Sequence, residues 1–124
     1  MPIQPVQIVF QNLDPSPAIE AAIRERAEKL DRFYDRIMNC RVVVEAPHKH
    51  HRQGTLYTVR IELTVPDQTL LVTRDPAQDH AHEDVYVSIR DAFDSMRRQL
   101  EDYARQRRGE VKRRQPVKPG QPPT

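Results

Sequence analysis

The sequence predicts an α+β domain of element order β-α-β-β-β-α, a four-stranded sheet with two helices packed on one face. Three observations predict it. Two long stretches, about residues 16–38 and 83–108, repeat apolar residues at helical spacing. Four shorter stretches are rich in β-branched residues and alternate as half-buried strands do. Their order makes a strand–helix–strand unit, which crosses over right-handedly, followed by two hairpin connections that bring the last helix back to the same face.

The first strand is read in IQPVQIVFQNL (3–13), where Val6, Ile8 and Phe10 alternate with Gln7, Val9 and Gln11; Pro5 suits a strand start or an edge. In DPSPAIEAAIRERAEKLDRFYDRIM, Asp14 or Ser16 can cap a helix, Pro17 suits its first turn and Glu20 favours its positive end. Ile19, Ile23, Ala27, Leu30, Tyr34 and Ile37 then recur on one face, predicting a helix over 16–38. CRVVVEA (40–46) is a short strand and PHKHHRQG (47–54) a loop. In TLYTVRIELTV (55–65), Tyr57, Val59, Ile61, Leu63 and Val65 alternate with polar residues, as in an antiparallel sheet covered on one face. PDQ turns the chain into TLLVTR (69–74), and DPAQDHAHE is a polar loop in which His82 is a possible cap for the next helix. That helix, 83–108, has Val85, Tyr86, Ile89, Phe93, Met96, Leu100 and Tyr103 as its apolar seam. From Gly109 the chain reads as a disordered basic Pro-rich tail, 109–124.

At 124 residues the chain holds one domain, and a mean hydropathy of −0.79 makes it very polar. Its single cysteine, Cys40, excludes an internal disulfide framework and fits a reducing compartment. No basic segment followed by an apolar run opens the sequence, and no apolar run approaches about 18 residues, so a soluble cytoplasmic protein is expected.

Charge is the informative feature. Residues 97–114 carry eight basic side chains against three acidic ones, in a chain of net charge +2. Wound at roughly 100° per residue, the first helix gathers Arg26, Lys29, Arg32 and Arg36 on one flank, with Glu25 the only acid. Glu20, Glu28, Asp31 and Asp35 take the other flank, with Arg24 the only base. The second helix gathers Arg90, Arg97, Arg98, Arg105 and Arg108, with Asp94 and Glu101 among them. Solvation alone is the competing account, since Glu25–Lys29, Glu28–Arg32 and Arg97–Glu101 are all i,i+4 pairs. Segregated arginine forks suit the phosphate oxygens of a nucleic-acid backbone. Recognition of RNA by shape is favoured over base reading, because no aromatic platform lies on the polar face of the strands; Phe and Tyr mostly take seam positions.

His48, His50, His51, His80 and His82, with Asp79 and Glu83, have the residue types of a metal site, but lie in two loops without cysteine partners or helical HExxH spacing. They read as polar loop residues, with a metal-binding protein or phosphate contact by the PHKHHR loop as alternatives. No nucleophile elbow or buried carboxylate pair is present, and three glycines leave no phosphate-cradling loop. A binding protein is expected rather than an enzyme, with no catalytic residue, no cofactor, no metal, no small-molecule substrate and no membrane partner.

SPAIEAAIRERAEKLDRFYDRIMNCRVVV and HEDVYVSIRDAFDSMRRQLEDYARQ resemble the ribosome hibernation factor family over about residues 3–108. This family includes hibernation-promoting factor and the ribosome-associated inhibitor called protein Y, and is also labelled sigma-54 modulation protein. The most specific match is D-x-Y-x-x-I followed by R-Q-L, here Asp84, Tyr86, Ile89 and Arg98-Gln99-Leu100. Pro17-Ala18-Ile19 and Lys29-Leu30 add to it.

The resemblance implies the same architecture, a double-stranded-RNA-binding-domain-like fold, with residues 1–108 as a ribosome-binding domain. It further implies binding to small-subunit rRNA in the mRNA and tRNA channel, blocking translation in idle ribosomes of stressed or stationary-phase bacterial cells. Arg26, Lys29, Arg32 and Arg98 match positions that are basic in the family. Arg36, Arg90, Arg97, Arg105 and Arg108 rest on the helical wheel. Ser95 and Asp102 stand where relatives commonly carry lysine, which shifts the expected second-helix contact toward Arg97 and Arg105. The PHKHHRQG loop and the DHAH segment are larger and richer in histidine than the family pattern, and the tail is basic, unlike the acidic tail of protein Y. The short sequence places the chain, as an expectation, with the short forms, either those that promote ribosome dimers or those that prevent them, and a monomer is expected. A stand-alone double-stranded-RNA binder is the remaining alternative.

Overall fold

The computed structural model describes residues 6–46, 57–75 and 84–113. The elements are β1 (Val6–Gln11), α1 (Pro17–Leu30), β2 (Asn39–Glu45), β3 (Thr58–Val65), β4 (Gln68–Arg74) and α2 (Val85–Arg113), in the predicted order. The sheet runs β1-β2-β3-β4, with β1 parallel to β2 and the other pairs antiparallel. The register sets Ile8, Val42, Ile61 and Val72 in one row across the sheet. Side chains alternate along a strand, so this whole row faces the helices. Ile19, Ile23, Ala27 and Leu30 of α1 and Ile89, Phe93, Met96, Leu100 and Tyr103 of α2 close over it as a single core. The opposite face is mostly polar, with Val43 and Leu71 among its apolar members; Arg41 stands across from Glu62 and pairs with it at 3.4 Å.

Side chains start each helix. Ser16 Oγ accepts from the Ile19 backbone N–H at 3.3 Å, so Ser16, not Asp14, is the cap of α1, with Pro17 following it. Asp84 Oδ1 accepts from the Tyr86 N–H at 2.9 Å and caps α2. His82 lies outside the described residues, and the capping role belongs to Asp84. The Asp-x-Tyr of the sequence match is therefore a capping turn.

Three differences from the sequence reading have physical causes. α1 ends at Leu30, well short of residue 38. The Asp31, Arg32 and Phe33 N–H groups reach back three residues to Glu28, Lys29 and Leu30 at 3.2, 3.2 and 3.0 Å, a tightened final turn. The Met38 N–H donates to the Thr64 carbonyl at 2.8 Å, so the chain has joined the sheet where the helix was expected to continue. Tyr34 and Ile37 still pack on the core, which is why their spacing imitated a helix. α2 continues past residue 108 to Arg113. Gly109 makes no left-handed turn there, and a glycine inside a helix costs only about 1 kcal/mol relative to alanine. Finally, Tyr86 is 43% exposed rather than part of the seam.

α2 also guards the edge of the sheet. Gln99 Nε2 donates to the Leu71 carbonyl of β4 at 2.9 Å, and Arg74 of β4 pairs with Asp91 at 3.2 Å. These bonds fix the rotation of α2 about its axis, and hence the direction in which its arginines face.

Candidate nucleic-acid interface

With α1 and α2 side by side on the sheet, one flank of each helix borders a common groove. Arg26 and Lys29 are one turn apart on α1, and Arg32 follows in the tightened turn. Across from them stands Arg97. These four cations line a cleft of about 260 Å³, together with Leu30, Phe33, Phe93 and Asp94. A second, wider cleft of about 460 Å³ continues past the end of α1, where Arg32 and Arg36, with Asp31 and Asp35 beside them, meet Arg107 and Arg108 of α2. Phe33 borders both.

Six of the nine arginine and lysine residues singled out in the sequence, Arg26, Lys29, Arg32, Arg36, Arg97 and Arg108, are thus brought together. Arg32 and Arg36 arrive there from the turn and connection after α1, not from a helix face as the wheel assumed. Arg98 and Arg105 are exposed and line neither cleft; Arg105 pairs with Asp102 at 3.0 Å. The acid at position 102 therefore draws on the charge of the arginine expected to compensate for it. Arg90 lies two turns before Arg97 on the same flank and pairs with the neighbouring Asp91 at 3.2 Å. Lys29 and Glu25 form the anticipated i,i+4 pair at 3.6 Å. With both groups largely in water, that contact is worth a few tenths of a kcal/mol, too little to hold Lys29 from a phosphate.

Two participants escaped the sequence reading. Arg107 falls on the seam side of α2 and was left out of the site. It lines the second cleft, its Nη1 donates to Asp67 Oδ2 at 3.1 Å, and its guanidinium lies 6.0 Å from the Tyr103 ring centre. Tyr103 in turn donates its hydroxyl to Asp67 Oδ1 at 2.7 Å and meets Tyr34 edge to face at 5.2 Å. Burial first, and then the bond to the Asp67 carboxylate, holds the Tyr103 phenol well above its ordinary range. This network ties α2 to the β3–β4 turn beneath the second cleft. Phe33, the other omission, was counted with the core aromatics, yet is 36% exposed. Its place between Arg32 and Tyr34, off the Ile19–Ile23–Leu30 stripe, was the available signal.

The five histidines lie outside the described residues. Among the described residues no group of three or more His, Cys, Asp or Glu is placed to hold a metal ion, and no helix is long and apolar enough to cross a membrane. Cys40 is buried, and desolvation aided by the Asp31 charge pushes its thiol up to about 12.

Guanidinium forks on both walls of a shallow groove can hold a chain of phosphates, each fork meeting two oxygens. Fold and groove together define a small β-α-β-β-β-α domain with a cationic cleft between its two helices. The chain belongs to the family described as sigma 54 modulation protein / S30EA ribosomal protein, whose model matches residues 6–108. Among solved structures it is similar to the protein Y N-terminal domain of Thermus thermophilus. The TM-score is 0.62 at 21% identity, over 78% of this chain and 94% of that one. It is also similar to a ribosomal subunit interface protein from Coxiella burnetii, with a TM-score of 0.61 at 18% identity, over 82% of this chain and 98% of the other. At these identities the likeness concerns the fold. No curated protein matches the chain in sequence.

Proposed function

We propose that the protein is a ribosome-associated translation inhibitor, a hibernation factor whose domain, residues 1–108, binds small-subunit rRNA in the mRNA and tRNA channel. By this reading it inactivates idle ribosomes under stress or in stationary phase and catalyses no reaction. Membership of the family and the name of the Coxiella burnetii structure support a ribosomal partner. The observation that carries the reading is the interhelical cleft, which sets Arg26, Lys29, Arg32 and Arg97 along one groove. The mechanism is occlusion. Phosphate contacts hold a wedge-like domain where mRNA and tRNA must pass, and the core beneath the helices keeps the wedge rigid. Arg36, Arg90, Arg98, Arg105 and Arg108 extend the cationic surface around the cleft.

Sedimentation with purified small subunits across a salt series tests this. The protein is expected to migrate with the subunit at low salt and to release as salt rises. Four engaged phosphates give a log–log slope of about −3. Lys29→Glu with Arg97→Glu should abolish co-migration. Arg24→Glu, on the far flank beside Glu20, should leave it unchanged. Protein remaining at the top of the gradient at low salt overturns the reading. Tight binding to plain duplex RNA with none to subunits points to a stand-alone duplex binder instead.

A further inference from the structure

Phe33 is a partly exposed aromatic ring bordering two clefts, each lined by more basic than acidic side chains. The apolar residues preceding it in α1, Ile19, Ile23, Ala27 and Leu30, are buried; Phe33 is 36% exposed. Its backbone N–H is fixed to the Leu30 carbonyl at 3.0 Å, so the turn holds the side chain at this spot. The ring divides the two clefts, with Arg26, Lys29 and Arg97 on one side and Arg36, Arg107 and Arg108 on the other.

A phosphate-binding groove needs no phenyl ring. Guanidinium groups alone satisfy phosphate oxygens, and an exposed ring adds a hydration cost that only a flat or apolar partner removes. The partner that joins a flat π-face to negative charge on either side is a nucleotide whose base has left its helix. We propose that Phe33 is a base-stacking residue, taking one unstacked nucleobase on its exposed ring while the flanking arginines hold the adjoining phosphates. This deepens the rRNA-binding reading and rests on it for the identity of the RNA. It adds a contact that salt does not screen, and it directs the domain to RNA with an extruded base rather than to plain duplex.

The chain contains no tryptophan, so a Phe33→Trp variant carries a single fluorescent reporter at the site. Titration at low salt with oligoadenylate of about ten nucleotides, within the usual single-strand site size, is expected to quench it saturably. Inorganic polyphosphate, which has charge but no base, should bind without quenching. Small-subunit affinity should stay within about twofold of wild type in Phe33→Tyr, and fall about tenfold in Phe33→Leu with the salt slope unchanged, the signature of a lost stack. Wild-type affinity in Phe33→Leu overturns the proposal, because apolar area alone then suffices, as it would against a protein surface. Oligoadenylate binding without quenching overturns it equally. Failure of the wild-type protein to bind subunits, with quenching by oligoadenylate intact, removes the ribosomal reading and leaves the stacking residue in place.

Discussion

At the scale of single residues, Cys40 shows how burial sets chemistry. Its side chain lies among Val42, Leu63 and Ile37 in the core, and its thiol is pushed up to about 12 from an ordinary 9.0. The native protein should therefore resist thiol reagents at pH 8 and react only on unfolding, as a reagent time course with and without urea reads directly. The same shift makes stability depend on pH. Between 9 and 12 the unfolded thiol has given up a proton that the folded one keeps, so unfolding is favoured increasingly as pH rises. Urea midpoints should fall across that window for the native chain, and fall less steeply in Cys40→Ala. Tyr103, raised by burial and by Asp67, acts in the same direction. The contrast among the aromatics marks the limit of sequence reading here. Val42 and Ile89 are core by period alone and Phe33 stands off the α1 stripe, but Tyr86 fits the α2 seam, and only the structure, where it follows the capping turn, shows that it faces water.

Elements were legible where their start signals are local. Ser16-Pro17 and the four strand patterns were found within one to three residues at most boundaries, because capping chemistry and alternation are properties of neighbours. Helix ends were not. The end of α1 is dictated by Met38 reaching Thr64, a partner 26 positions away, and the continuation of α2 through Gly109 depends on the absence of a left-handed turn. Two substitutions follow from this. Asp84→Ala removes the α2 cap and should lower stability by about 1 kcal/mol in urea titration. Gly109→Ala should raise it by about 0.5–1 kcal/mol, since an added methyl meets no atom within 4 Å and the helix gains a residue of higher propensity. A destabilised Gly109→Ala protein means that the helix does not persist through that residue.

For the whole molecule, the order of elements and the sheet with two helices on one face were legible from period and sequence order. The composition of the cleft was half legible. Arg26, Lys29 and Arg97 follow from the helical wheel, but the gathering of Arg32, Arg36 and Arg107 depends on where α1 stops and how α2 is rotated. That rotation is set by Gln99, Asp91 and the Tyr103–Asp67–Arg107 network, contacts no periodicity encodes. α2 also completes the core, with Ile89, Met96 and Leu100 fully buried. Each contributes about 1.5–3 kcal/mol against a typical total of about 5–15 kcal/mol. A chain stopped before Asp84 should therefore show an unfolded circular dichroism spectrum and no subunit binding. A folded truncation contradicts the single shared core.

The two walls of the cleft are also made at different times. Lys29 and Arg97 stand 68 positions apart, several seconds of synthesis at about 5–20 residues per second. Throughout that interval the nascent chain carries one cationic flank with nothing opposite it and a sheet still lacking half its cover. The two-walled cleft, and with it the RNA grip proposed above, is thus absent while the polypeptide is being made and assembles only when α2 docks. On the proposed function, the protein becomes competent to bind only on folding, after its own synthesis is complete.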